Sequence, residues 1–175
     1  ILITDNFRYY YAFQHTSILL PIYYKISSLW EGQEGSFLLW MFWNVIIGLY
    51  FSFKPTSKWN VSIMVVIGFT QLLLYSMILG VVFYDVKIGS SPFILLKDAI
   101  SAPIFQIDPN YIPEDGTGLK PLLQNYWMVI HPPTLFLGFA VSIIPISYAI
   151  SSLRLKDYKS WIVPAKKWLV LSIII

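Results

Sequence analysis

Two histidines are the only side chains of this chain that offer a neutral nitrogen ligand, and there is no cysteine. Disulfides, thiolate metal sites and CxxC redox chemistry within the chain are therefore excluded. His131 stands where a polar loop gives way to a long apolar run, and two prolines follow it. The residue before proline is pushed out of the helical region, and proline is favoured in a first helical turn. His131 is thus expected to be extended at the mouth of a helix, neutral beside its positive end, with a lone pair free for a metal; haem iron commonly takes one. The competing reading is a ring that hydrogen-bonds a loop carbonyl, and on chemistry alone a lone histidine is a weak signal. His15 lies in an aromatic segment and reads as a surface histidine.

Other candidates are weaker. Glu31 and Glu34 flank a glycine turn; they could relay protons or bind a cation, but solvated acids near a helix N-terminus are the simpler reading. Asn44 and Gln71 each lie inside an apolar run, where amides usually bond across helices and otherwise line a substrate path. Trp40 and Trp43, spaced i, i+3, could stack on a flat ligand, though helix packing is commoner. Arg8, Lys25 and Lys120 could pair with carboxylates of a ligand, and each also reads as an ordinary surface charge.

The elements that must position these residues follow from composition. The chain is 57% hydrophobic and 12% charged, about half the charge of a soluble domain. That leaves too little polar surface to cover a globule, and the fold class is all-α: a polytopic transmembrane helical bundle. Abundant Trp and Tyr suit membrane interfaces. Residues 36–53, 61–84 and 126–150 are uncharged apolar runs long enough to span. Ser36 is a plausible N-cap for the first. A further span begins at 168–175. Residues 1–35 read as a surface segment, 85–125 as a polar loop with one short helix near 93–100, and 151–167 as a basic loop. Both ends look like apolar helices cut through, so a piece of a longer protein is expected.

Loop charge sets the orientation. Lys54 and Lys58 stand without an acid in one short loop; Arg154, Lys156, Lys159, Lys166 and Lys167 stand against Asp157 alone in the last. The positive-inside rule places both in the cytoplasm. Residues 1–35, the loop 85–125 and His131 then fall on the outer face. The net charge of +3 is spread over short loops beside apolar runs, which is not a nucleic-acid footprint.

Three stretches carry a resemblance: DNFRYYY over 5–11, LPIYYKISSLWEGQEGSFLLW over 20–40, and DGTGLKPLLQNYWMVIHPPTLFLG over 115–138. In order and separation they resemble the cytochrome c-type biogenesis proteins of the CcmF/CcsA kind, over most of the chain. The resemblance implies a polytopic haem-handling protein. It would present haem at the outer face of a bacterial inner membrane, or of an organelle's, for thioether attachment to the CxxCH cysteines of apocytochrome c. His131 matches the position of one outer-face axial ligand to haem iron. The implied cofactor is haem. The implied partners are apocytochrome c, haem-delivery and other maturation proteins, and membrane lipid.

There are departures. Gln33 stands where many relatives have His, and the family's Trp-rich haem platform is expected beyond residue 175. The stretch alone is expected to ligate haem weakly and to supply no catalytic residue of its own. Two rival readings are a transporter of haem or another small molecule, with Asn44 and Gln71 lining a path, and a structural subunit of a redox complex.

Overall fold

The computed structural model describes residues 1–54, 57–84 and 86–175. Pro55 and Thr56, read above as part of the short basic loop, and Asp85, at the start of the long loop, lie outside the described residues. The elements run α1 (Tyr10–His15), α2 (Ile22–Ser27), α3 (Gln33–Phe53), α4 (Asn60–Ile78), β1 (Val81–Phe83), β2 (Val86–Ile88), α5 (Leu96–Ala99), α6 (Ile104–Ile107), α7 (Tyr126–Leu155) and α8 (Ile162–Ile174). The fold is all-α apart from the three-residue antiparallel ribbon β1–β2. Three helices, α3, α4 and α7, are long and apolar enough to cross a membrane. The chain divides into two compact units, residues 1–36 with 78–132, and 37–77 with 133–175.

The second unit is built on one apolar cluster to which four helices contribute: Ile47 and Phe51, Ile63 and Ile67, Ala140, Val141, Ile144 and Tyr148, and Ala165, with Trp59. Such helices are apolar all round, as expected of segments surrounded by lipid and protein rather than water. Three of their hydroxyls are satisfied locally: Ser52 donates to the Gly48 carbonyl, Thr70 to Val66 and Ser147 to Ile143. Asn44 donates to Gln71 across 3.3 Å, and Gln71 donates to the Met41 carbonyl. One bond joins the two amides across α3 and α4, in line with the packing reading. The Trp40 ring lies tilted against Phe136 and Phe139, with centroids 6.1 and 5.3 Å away, and its buried indole N–H has no partner among the described residues. Lys58 pairs with Asp157 and donates to Ser160. That tie puts the two basic loops at one end of the unit, as the alternation of loop charge requires.

Helix ends differ from the hydropathy reading, each for a local reason. The second span stops at Ile78 rather than continuing to 84. Gly80 adopts φ +64° and Tyr84 φ +52°, and a Cβ on Gly80 would meet the Ser91 main-chain nitrogen at 2.9 Å. The β-branched and aromatic residues after this turn form the ribbon instead. α3 begins at Gln33, so Ser36 lies inside the helix; its hydroxyl donates back to the Trp30 carbonyl and does not cap. α7 continues to Leu155, with Arg154 in its last turn, where a cation complements the dipole. It closes by a Schellman arrangement. Lys156 is left-handed at φ +53°, and the Asp157 and Lys156 N–H groups return to the Ser152 and Leu153 carbonyls.

In the first unit, residues 8–10 lie antiparallel to 94–96 through Leu96 N–H to Arg8 and Tyr10 N–H to Ile94. The DGTG motif closes the end of α1 from a distance. Thr117 donates by N–H and hydroxyl to the Phe13 carbonyl and by hydroxyl to Gln14; Gly118 N–H reaches the Thr16 carbonyl. These carbonyls have no helical partner of their own. Asp115 accepts the Ile18 N–H at 2.8 Å. Gly116 sits so close that a Cβ would lie 2.1 Å from the Thr16 carbonyl oxygen.

Candidate functional site

The start of α7 is held by two segments of the first unit, the loop directly before it and the distant turn before α3. Asn125 is its cap: Oδ1 accepts the Met128 N–H at 3.1 Å, while its amide donates to the Leu122 carbonyl at 2.8 Å. Pro132 and Pro133 stand in the second turn of the helix. Having no N–H, Pro132 cannot bond the carbonyl four residues back, that of Met128. The indole N–H of Trp30 takes that place, at 2.7 Å. Both main-chain groups of Met128 are therefore held by side chains, one from the loop and one from the turn before α3.

His131 follows one turn later. It is helical and exposed, not extended, because the helix passes through the two prolines with its freed carbonyl paired by Trp30. The ring also stands beyond the first turn, where the field of the helix end has fallen away. Among the described residues its ring makes no hydrogen bond, and the alternative of a ring tied to a loop carbonyl is not what the structure has. Trp127, one turn earlier on the same face, is 71% exposed.

His15 corrects the surface assignment. Its Nδ1–H donates to Oε2 of Glu31 at 2.6 Å, with side chains 12% and 4% exposed, and its ring lies 4.4 Å from that of Tyr11. Glu31 is accordingly a buried partner and not a solvated acid, and the pair is committed to holding α1 against the turn before α3. Glu34 lies in the first turn of α3, as a helix N-terminus favours. Tyr11 completes the joint: its hydroxyl donates to the Leu29 carbonyl at 2.7 Å and accepts the Gly32 N–H at 3.1 Å. Burial pushes the Tyr11 phenol well above its usual range.

The three outer cations separate. Lys25 is buried and pairs with Asp5 at 2.5 Å, so it is structural. Lys120 is exposed. Arg8 lines a cleft of about 290 Å³ with Tyr9, Lys97 and Tyr111. No group of three or more His, Asp or Glu is placed to hold a metal ion among the described residues. A single exposed imidazole is the kind of donor that serves as one axial ligand to a haem iron. The sequence reads Tyr11 and Trp30 only as aromatics of a membrane-surface segment and carries no signal for Asn125. Pro132 signals an orphan carbonyl at Met128, but the donor that answers it is 98 residues away.

The family model described as cytochrome C assembly protein matches residues 30–174. The cytochrome c-type biogenesis protein CcmF of Pseudomonas fluorescens is 31% identical over 150 residues, covering 86% of this chain and 20% of that protein. CcmF of Haemophilus influenzae is 29% identical over 153 residues, 85% of this chain and 20% of that protein. The cytochrome c-type biogenesis protein NrfE of Haemophilus influenzae is 26% identical over 181 residues, 97% of this chain and 25% of that protein. The chain spans about a fifth of the length of the CcmF relatives it matches. No solved structure matches. With the family model covering most of its length and three helices fit to span a bilayer, the chain belongs to the cytochrome C assembly protein family, as a multi-pass membrane member.

Proposed function

We propose that this chain is the part of a cytochrome c maturation protein that ligates haem at the outer face of an inner membrane, where haem is joined to apocytochrome c. Haem and apocytochrome c would be the substrates, each thioether forming by addition of an apocytochrome cysteine S–H across a haem vinyl group. His131 would hold the iron from one side through its imidazole. Trp127, exposed on the same face, offers an aromatic flank. The chain supplies no acid or base to the bond-forming step; its work is to bind and orient. Other maturation proteins that deliver haem and apocytochrome would meet it there.

The observation that carries this reading is the exposed ring of His131, free of protein hydrogen bonds among the described residues, on a helix start that two segments hold in place. Asn44 and Gln71, on which the transporter reading would rest, bond each other, which favours a packing role for the pair. The test is His131→Ala in the intact protein, reading bound haem by absorption and maturation of a co-expressed c-type cytochrome. Loss of both, partly restored by imidazole, is expected. Unchanged haem content and maturation would remove His131 from the site.

A further inference from the structure

Met128 lies one turn before His131 on the same face of α7, and it is the residue whose carbonyl Pro132 leaves without a helical donor. Its N–H is held by Asn125 and its carbonyl by the Trp30 indole at 2.7 Å. Trp30 is itself fixed, since its own carbonyl accepts the Ser36 hydroxyl at 3.1 Å. It stands at the end of the 3-10 turn Ser28–Trp30, directly before the Glu31 that His15 holds. The peptide group that sets the rotation of the helix at His131 is therefore anchored through one indole N–H to the segment before α3.

We propose that Trp30 is the positioning residue for His131, acting through the Met128 carbonyl and not through contact with ligand. The inference rests on the reading of His131 as a haem ligand. Proline at 132 leaves an acceptor that only a side chain can fill, and the indole that fills it fixes the direction of the imidazole one turn on. A helix with its own N–H at position 132 would have no need of Trp30.

Two substitutions separate these roles. Trp30→Phe keeps the ring and removes the N–H; Pro132→Ala returns a main-chain donor to Met128. Four forms of the intact protein are compared for haem content, absorption spectrum and haem midpoint potential: native, Trp30→Phe, Pro132→Ala and both together. His131→Ala serves as the reference for ligand loss. Trp30→Phe is expected to lower haem occupancy about three- to tenfold, the worth of one net hydrogen bond, and to shift the spectrum and potential in the direction of His131→Ala. In the Pro132→Ala background the same change is expected to have no effect. A loss of equal size in both backgrounds would mean that the Trp30 ring only packs, and would overturn the inference. So would a Trp30→Phe protein with native haem properties beside a His131→Ala protein without haem, which leaves the haem reading standing. Native haem in His131→Ala would overturn both. Should Trp30→Phe fail to accumulate, recovery of a haem-loaded double variant supports the inference, and its failure overturns it.

Discussion

His15 and Glu31 meet through Nδ1 and Oε2 at 2.6 Å with the carboxylate almost fully enclosed, which ties α1 to the turn that carries Trp30. Removing the imidazole leaves the enclosed carboxylate without its hydrogen-bond donor, at a cost of about 1–3 kcal/mol. His15→Ala is expected to destabilise the first unit by that order in thermal unfolding of the detergent-solubilised protein. His15→Leu with Glu31→Leu, which leaves no buried charge, is expected to cost less. A single variant as stable as the native protein would show that the pair is not enclosed.

Gly35 lies where a Cβ would come within 1.5 Å of the Leu29 carbonyl oxygen, and at Gly116 the approach to Thr16 is 2.1 Å. Main chain cannot yield as a side chain can. Gly35→Ala and Gly116→Ala are expected to cost more than about 4 kcal/mol, or to abolish accumulation. Gly68, in α4, has open space for a methyl group, with nothing within 4 Å of where its Cβ would stand. Gly68→Ala is expected to be neutral or stabilising by up to about 1 kcal/mol. Melting temperatures of the three variants decide the order.

The Tyr11 phenol is held above its usual range by burial. Its neutral form is favoured in the folded state, so its contribution is fully present below the ordinary tyrosine value near 10 and is lost as pH rises through the folded value. Stability of the first unit is expected to fall above about pH 10. Tyr11→Phe is expected to flatten that alkaline limb while costing about 1–3 kcal/mol at neutral pH, because the Gly32 N–H loses its acceptor. Unfolding followed from neutral to strongly alkaline pH gives both slopes; an unchanged alkaline limb in the variant would assign it to another group.

Asn44 is buried and bonds Gln71. Asn44→Leu is expected to cost about 1 kcal/mol, the usual worth of an amide pair between membrane helices, and to leave haem content unchanged. A variant of native stability that lost maturation would return the pair to a functional path.

What the sequence by itself determined is the set of spans, because hydropathy sums residue by residue over a run and needs no partner. Loop charge likewise grouped the two basic loops, and the Lys58–Asp157 tie places them at one end of the second unit. The likeness to CcmF was legible in short local motifs, and it agrees with the family match, which covers 115–138 and the second half of 20–40. Tertiary structure decided what depends on a second segment. His15 is enclosed because Glu31 reaches it, Ser36 turns back to Trp30, and the span after Asn60 ends at Ile78 because Gly80 meets Ser91. His131 is helical for the same kind of reason. A proline's orphaned carbonyl can be read from spacing, but whether water, chain end or a distant indole satisfies it is a matter of three-dimensional proximity, and here the donor is Trp30.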